Sequence, residues 1–351
     1  MTSGLPTFRS YLQSLGQLVV QPRMGFSRPD EMRAGMIATA TCGPRTVATI
    51  TIDSYSRVND RGRAAEAVRQ DLPLNGYPII VHPAEVTREL VGAVGALGVP
   101  VQVRHGSALA LPIVESLVMA GITATEGGPV SYTLPYSRVR LNAAVEDWRR
   151  SCSCLAESSP DAHLESFGGC MLGQLCPPSM LVAISVLESL FFVQQGLRSV
   201  SLSYAQQTNR DQDLEALHAL RRFASELLPD TDWHIVLYAY MGVYPKSYQG
   251  GFDLLADASQ LAVMGGASRL IVKTPAEAHR IPSVEENLAS LRYSDAVAAR
   301  AVPTLVSMDD SPTYSSHLTR CRCVWCFLGC YPRFCCGGGM SCCIIFTGAL
   351  E

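Results

Sequence analysis

Residues Val99–Gly106 read VPVQVRHG, a short β-branched run that ends in an arginine, a histidine and a glycine. β-Branched residues favour strands, and a glycine directly after them marks a turn. Similar runs recur, each followed by a turn and a helical pattern: LVVQP from Leu18, VATITIDS from Val47, YPIIVH from Tyr77, ITATEGG from Ile122, RSVSLSYAQ from Arg198, HIVLYAY from His234 and RLIVKT from Arg269. The sequence therefore predicts eight strands that alternate with helices.

This alternation favours a closed barrel. Strands separated by helices pair in parallel, and runs that are apolar throughout are typical of strands buried on both faces. Eight such units within residues 1–300 fit a (β/α)₈ TIM-type barrel better than an open doubly wound sheet. The interval between the fifth and sixth predicted strands is long, and we expect it to hold two helices, near residues 141–155 and 180–195. It also holds an insertion, LESFGGCMLGQLCPP at residues 164–178, which we interpret as a lid or a subunit contact.

The last fifty residues differ in composition from the rest of the chain. Of the 13 cysteines, eight fall between Cys321 and Cys343, and the segment shows no helix or strand period. We therefore predict a catalytic barrel domain, residues 1–300, and an atypical Cys-rich tail, residues 301–351, that is disordered or the product of a frameshift. A zinc site in the tail is an alternative, with Cys321, Cys323, Cys326 and Cys330 as ligands. No metal site is predicted in the body.

Composition and charge exclude some classes of partner. The net charge is -3, and acids and bases are interspersed, so no basic surface is expected for nucleic acid or for an acidic membrane. The N-terminus lacks the apolar run of a signal peptide. The most apolar stretch, residues 180–193, is interrupted by Ser185, Glu188 and Ser189, which indicates a buried helix. We expect a cytoplasmic protein that binds neither nucleic acid nor membrane.

Arginines follow three of the predicted strands, at the barrel end where active sites lie. Arg23 follows the first strand, Arg57 the second and Arg104 ends the fourth. One arginine there is usually a surface ion pair, but three after different strands, with few acids nearby, predict an anion clamp. Guanidinium groups bind carboxylates through paired hydrogen bonds, whereas a phosphate site would favour glycine-rich turns and helix N-termini. A carboxylate ligand is therefore expected.

Other polar residues at the same end have two interpretations each. Glu126 is either the salt-bridge partner of an arginine or the receptor for a ligand ammonium. Tyr132 and Tyr136 are ligand contacts or core aromatics, and His105 is a general acid, a cofactor contact or a structural histidine. Three arginines and one carboxylate match an amino dicarboxylic acid.

Lys273 and Glu277 follow the last predicted strand. They are either an ordinary pair four residues apart on a helix or a pair that binds a ligand. Pro275 lies between them and makes a regular helix doubtful.

Together the motifs resemble the large (epsilon) subunit of adenosylcobalamin-dependent glutamate mutase, also called methylaspartate mutase. They span about residues 15–300 and read QPRMGF, TITIDSYSR, PLNGYP, VQVRHG, ATEGGPVSYTLPYSR, LESFGGCMLGQLCPPS, RSVSLSYAQQTN, DWHIVLYAYMGVYP and LIVKTPAEAHRIP. The resemblance implies a (β/α)₈ barrel that interconverts L-glutamate and threo-3-methyl-L-aspartate. It implies a radical rearrangement in which the substrate radical splits into a glycyl radical and acrylate, which then recombine.

The resemblance also implies roles for individual residues. It assigns catalysis to Glu126 and the three arginines, which grip the substrate carboxylates, and it adds Tyr132 and Tyr136 as substrate contacts. Contacts to the cofactor adenosylcobalamin are implied for Gln102, His105, Lys273 and Glu277, the last two on the ribose of the adenosyl group.

A partner subunit is implied by what the sequence lacks. The cobalamin-binding signature DxHxxG supplies a histidine ligand to cobalt, and the nearest string here, residues 161–166, ends in serine and is interpreted as a chance match in a loop. We therefore expect the cobalamin on a separate small (sigma) subunit over the barrel mouth, with a homodimer of this chain within a heterotetramer.

Two alternatives remain. Family members continue past residue 300, so one alternative is a truncated, inactive relative that at most binds the cobalamin-carrying subunit. The other is a cobalamin-independent barrel enzyme that acts on a dicarboxylate, against which the Lys273 and Glu277 pair argues.

Overall fold

A computed structural model describes residues 7–13, 17–172 and 175–303. Eight parallel strands form one sheet in the order β1-β8-β7-β6-β5-β4-β3-β2. The strands are β1 (Val19–Gln21), β2 (Ala48–Thr51), β3 (Val101–Arg104), β4 (Ala124–Gly127), β5 (His163–Ser166), β6 (Ser199–Ala205), β7 (Asp232–Tyr238) and β8 (Arg269–Ile271). A parallel bridge between Val20 and Thr46 connects the two edges, so the barrel is nearly closed. The predicted (β/α)₈ architecture is confirmed.

Helices follow the strands and cover the outside of the barrel. Three of the longer ones begin at a side chain that accepts a hydrogen bond from a free backbone N–H group, namely Asn209, Ser247 and Ser283. The helices are α1 (Phe8–Gln13), α2 (Pro29–Ala40), α3 (Ser54–Arg57), α4 (Arg61–Arg69), α5 (Ala84–Gly95), α6 (Leu111–Met119), α7 (Leu141–Ser158), α8 (Pro178–Gln194), α9 (Arg210–Leu227), α10 (Tyr248–Met264) and α11 (Val284–Ala298). Most of α8 is buried, as its apolar sequence predicts.

The predicted strand YPIIVH is wrong. Only Tyr77 bridges β2, through Ile52, and the chain then turns, with the Val81 and His82 N–H groups donating to the Pro78 carbonyl. Pro78 has no N–H group to donate to a strand ladder, so it ends the pairing at once. Ile79 and Ile80, whose side chains made the run look like a strand, are buried in the core instead.

The missing eighth strand is β5, inside the stretch that the sequence indicated was an insertion. For residues 164–170 the predicted lid is wrong, because β5 leads into a 3₁₀ turn, Gly168–Cys170, that packs directly on β6, and the alternative of a subunit contact stays a prediction. A Cβ added to Gly169 would lie 1.7 Å from the Ser203 carbonyl oxygen. The expected loop at residues 161–166 is corrected by the same finding, since His163 begins β5.

The middle of the barrel is polar. Arg269 at the start of β8 is fully buried and donates to Glu165, Gln21 and Gln102. Phe8 of α1 closes the end beneath, with its ring 4.9 Å from the Arg269 guanidinium. Barrels of this type usually fill with branched apolar side chains. The buried ion pair between Arg269 and Glu165 therefore identifies a layer that is held together by charged and hydrogen-bonded side chains.

Two further observations apply to the part of the chain that the structure describes. None of its helices combines the length and the apolar character needed to cross a bilayer. None of its His, Cys, Asp and Glu side chains form a group of three or more placed to hold a metal ion. Residues 304–351, which include the proposed zinc ligands, lie outside the described residues, and the domain boundary at residue 300 stays a prediction.

Candidate active site

The centre of the candidate site is an ion pair between the ends of β3 and β4. Arg104 donates through Nε to Glu126 Oε2 at 2.7 Å, and both side chains are buried. Burial alone would raise the pKa of Glu126, but the charge and hydrogen bond of Arg104, with bonds from Tyr132 and Tyr238, lower it overall. The salt-bridge interpretation of Glu126 is thus confirmed, and its role as an ammonium receptor stays a prediction.

Two phenols complete the surroundings of this carboxylate. Tyr132 donates to Glu126 Oε1 at 2.6 Å, and Tyr238 at the end of β7 lies 2.7 Å from Glu126 Oε2. Tyr132 is itself buried, so it is both a core aromatic and a polar group of the site. Hydrogen bonds to both oxygens fix the plane of the carboxylate and favour its ionised form.

Arg57 is positioned by a short helix. Asp53 caps α3 by accepting from the N–H groups of Tyr55 and Ser56, which holds Arg57 at the last residue of the turn. Gly106, two residues after β3, has φ +73°, a conformation that glycine adopts readily. A Cβ added there would lie 3.9 Å from Arg57 Nη1, so the turn after β3 runs next to this guanidinium.

Arg57 differs from the other two arginines. Burial lowers its pKa, and the charges of Arg104 and Arg23 lower it further, while Tyr132 and Glu126 act in the opposite direction. It forms no ion pair with any residue that the structure describes, and its Nε is buried without a hydrogen-bond partner. Arg57 is thus a half-buried cation with no carboxylate at ion-pair distance among the described residues.

A second group lies at the ends of β1 and β8. Arg23 pairs with Glu277 at 3.3 Å, and Glu277 also accepts from the Thr274 N–H group in a 3₁₀ turn, Pro275–Ala278. The doubt about a regular helix is thus confirmed. Lys273 lies 4.4 Å above the ring of Tyr244. Burial lowers the pKa of Lys273 although Glu277 counteracts it.

The expectation of few acids near the arginines is wrong for two of them. Arg23 and Arg104 each have a carboxylate partner, and only Arg57 is left without one among the described residues. Glu126 and Glu277 were both singled out from the sequence, but their pairing with particular arginines depends on which strands are neighbours.

His105 is a neutral donor. It is buried and stacks on Trp148, with 5.7 Å between ring centroids. Burial, aided by Arg57, lowers its pKa to about 4, although Glu126 opposes the shift. The Ser107 N–H group donates to Nδ1 at 3.0 Å, so the neutral ring carries its proton on Nε2, which faces the Glu126 backbone but forms no hydrogen bond of good geometry with a described residue. This disfavours a charged general acid and leaves an N–H group for a ligand.

Comparison with known proteins shows the family. The family model "Methylaspartate mutase E chain (MutE)" matches residues 7–309. The chain belongs to this family.

Named relatives agree. The chain is 34% identical to the glutamate mutase epsilon subunit of Halobacterium salinarum, over 86% of this chain and 65% of that protein. It is 32% identical to the Yersinia enterocolitica protein of the same name, over 70% and 53%, and 32% identical to that of Haloarcula marismortui, over 81% and 60%. The chain thus spans roughly half to two thirds of the length of these relatives.

Two of the expected site residues lie apart from the centre of the site in this methylaspartate mutase family member. Gln102 is fully buried one layer down, where its amide donates to the Thr125 carbonyl and to Glu165 and its oxygen accepts from Arg269. Tyr136 is 54% exposed at the outer rim, and its hydroxyl accepts from the Leu172 N–H group. Their predicted roles in cofactor and substrate binding stay predictions.

Sequence reasoning missed Glu188 of α8, which supports the site from behind. Its carboxylate accepts from the N–H groups of Val130 and Ser131 and from the hydroxyls of Ser131 and Ser166. These bonds anchor the segment that carries Tyr132 in this family member. The signal was present, because an acid interrupts the most apolar run of the chain, and a buried acid needs donors.

Proposed function

We propose that the chain is the catalytic component of glutamate mutase and rearranges L-glutamate to threo-3-methyl-L-aspartate with adenosylcobalamin. Arg57 is the observation that carries this proposal. It is a half-buried cation without an ion-pair partner among the described residues, and its pKa responds to the charges of Arg23 and Arg104. A desolvated charge of this kind requires an anion. Relatives named glutamate mutase epsilon subunit support glutamate as that anion.

The site also complements the rest of an amino dicarboxylic acid. Glu126 can receive an ammonium group, and Arg104 binds Glu126 through Nε alone, so its two terminal amino groups are available to a ligand carboxylate. His105 offers Nε2–H as a neutral donor. Two carboxylates and one ammonium of L-glutamate would thus find opposite charges or donors at every polar end.

The residues at the ends of β1 and β8 fit a ribose. Lys273 supplies donors and Glu277 supplies acceptors, and neighbouring hydroxyls need both. Each Glu277 oxygen accepts one bond, from Thr274 or from Arg23, and keeps a lone pair. We propose that these two side chains hold the adenosyl group. Adenosylcobalamin, when bound, supplies the radical that removes a hydrogen atom from the substrate.

The chain's own contribution to the reaction is positioning. The two fragments of the substrate radical are never bound covalently to the enzyme and must rejoin through a different carbon atom. Each fragment must therefore be held in place through its carboxylate. Arg104 projects from a strand end and Arg57 from a capped turn, and both are rigid attachment points. The nearly closed barrel beneath them excludes water from the reacting groups.

A partner subunit would find an apolar surface around the mouth. Large apolar side chains are exposed on segments that follow β2, β4, β5, β7 and β8, up to 94% exposure at Val243. They are Val58, Leu134, Tyr136, Leu172, Leu175, Val243 and Ile281. Such a surface is typical of protein interaction. We propose that the small cobalamin-binding subunit docks here, in a cytoplasmic heterotetramer that contains a homodimer of this chain.

Reconstitution tests the proposal. The full chain is mixed with a cobalamin-binding small subunit, adenosylcobalamin and L-glutamate, and 3-methylaspartate is quantified by chromatography. Product is expected, whereas a folded chain that gives none would contradict the proposal. A chain that binds the small subunit without turnover would favour the inactive relative.

Matched variants make the test specific to Arg57. Arg57→Met removes the unpaired cation and is expected to abolish detectable product. Arg63→Met removes an exposed arginine of α4 that pairs with Asp60, and it is expected to leave turnover unchanged. Equal activity of the two variants would argue against an anion site at Arg57.

A further inference from the structure

Tyr238 touches two carboxylates that come from different strands. Its hydroxyl oxygen lies 2.7 Å from Glu126 Oε2 and 2.5 Å from Glu165 Oε1, and all three side chains are buried. A phenol has one proton to donate. Only one of the two carboxylates can therefore receive a hydrogen bond from Tyr238 at a time.

Each carboxylate has an arginine of its own. Arg104 binds Glu126 at the mouth, and Arg269 binds Glu165 one layer below. The charge of each carboxylate is thus neutralised by an arginine. Neither carboxylate therefore has an evident advantage as the acceptor of the Tyr238 proton. The competition links the candidate active site to the polar middle layer of the barrel.

We propose that Tyr238 is a positioning residue that shares its one proton between Glu126 and Glu165, and thereby sets how strongly Glu126 accepts the ammonium group of the substrate. The inference rests on the proposed function, in which Glu126 receives that group. While the phenol donates to Glu126, one acceptor position of this carboxylate is filled. When the phenol turns to Glu165, that position becomes available to the ligand.

Other charged groups around Glu126 do not provide this link. Its titratable neighbours come from β3, α3, the segment after β4, β5, the turn after β5 and β7. They are Arg104, His105, Arg57, Tyr132, Glu165, Cys170 and Tyr238. Among these, Tyr238 alone contacts both Glu126 and a second carboxylate in the described structure.

Tyr238→Phe removes the shared proton and keeps the ring. That ring packs edge-on against Phe167 at 5.6 Å and lies 5.2 Å from the Arg104 guanidinium, contacts that phenylalanine preserves. Tyr204→Phe is the matched control. Tyr204 lies on the neighbouring β6, is also buried, and donates to the Asp213 carboxylate at 2.9 Å, away from Glu126.

The measurement is a pH titration of the Glu126 carboxyl carbon by ¹³C NMR in the full chain alone, with the signal assigned from Glu126→Gln. The Tyr238 hydrogen bond lowers the pKa of Glu126, so its titration midpoint is expected at higher pH in Tyr238→Phe and unchanged in Tyr204→Phe. An unchanged midpoint in Tyr238→Phe, or equal shifts in both variants, would overturn the proposal.

A second variant reverses the expected sign. Replacing Tyr238 with 3-fluorotyrosine keeps the hydroxyl and makes it a stronger donor, and this is expected to move the Glu126 midpoint to lower pH. A shift in the same direction as Tyr238→Phe would reject the shared proton. The titration needs no cofactor, substrate or partner, so a failure of mutase activity would leave this result intact.

Discussion

Arg104→Lys tests the carboxylate clamp because it keeps the charge and removes the planar fork. In the structure the Arg104 Nε donates to Glu126 Oε2 at 2.7 Å, which leaves the two terminal amino groups for a ligand. A lysine ammonium is one compact donor group on a flexible stem. It can bind Glu126 or the ligand carboxylate, but it cannot reproduce both contacts in the original geometry.

The expected magnitude follows from the bonds lost. A hydrogen bond to a charged group contributes about 1.5 to 3 kcal/mol. Losing the Glu126 bond and one arm of the two-pronged ligand contact thus removes about 3 to 6 kcal/mol of transition-state stabilisation. At about 1.4 kcal/mol for each factor of ten, kcat/KM for L-glutamate is expected to fall by about 10² to 10⁴.

The assay compares variants in the enzyme reconstituted with the small subunit and adenosylcobalamin. Arg149→Lys is the control, because Arg149 forms an ion pair with Glu146 at 2.6 Å on the exposed face of α7. Exposed ion pairs of this kind contribute little to stability. The control is expected to keep the wild-type kcat/KM. If Arg104→Lys retains more than half of it while its melting temperature matches the wild type, the clamp reasoning is refuted.

Two more predictions concern buried charges. Burial raises the pKa of Glu188 from 4.5 to about 7, so the folded state takes up a proton and stability falls as pH rises between these values. Glu188→Gln removes this pH dependence. The free energy of unfolding of the variant minus that of the wild type is expected to increase by about 3 kcal/mol from pH 4.5 to pH 7.5, measured by urea titration. A difference that does not change with pH would contradict this prediction. Arg269→Met leaves the Glu165 carboxylate buried without its partner, and a loss of about 3 to 5 kcal/mol is expected by the same method at pH 7, whereas a loss below 1 kcal/mol would contradict it.

The sequence predicts strands well where a β-branched run occurs because its residues lie in a buried strand. All four residues of β3 are buried, two of them are β-branched valines and the last is Arg104, so both the strand and the site residue were recognised. YPIIVH is also rich in β-branched residues but for another reason, since Ile79 and Ile80 pack in the core from a turn. β5 reads HLES, and its His163 and Glu165 form hydrogen bonds with polar side chains in the barrel interior. The strand therefore lacks the apolar run by which the other strands were recognised.

The residues behind the site could not be predicted from local pattern. Tyr238 and Glu126 are 112 residues apart, and their contact exists only because β4 and β7 meet across the barrel interior. Arg269 begins a short strand and looks like an exposed end, yet it is fully buried. Neither spacing nor composition reports which inward side chains share a layer, because this depends on the stagger of the strands.

The pairing of charges explains how the site can fold before a ligand arrives. Several unpaired guanidinium groups in one pocket would repel one another and lose hydration. Among the described residues Glu126 and Glu277 offset two of the three site arginines, which leaves Arg57, whose pKa is lowered by burial and by the charges of Arg104 and Arg23. L-Glutamate would bring two carboxylates for the arginines and an ammonium for Glu126, so the ligand would add ion pairs to those that Arg104 and Glu126 already form with each other. The same groups thus stabilise the folded barrel and, in the function proposed above, would hold the substrate.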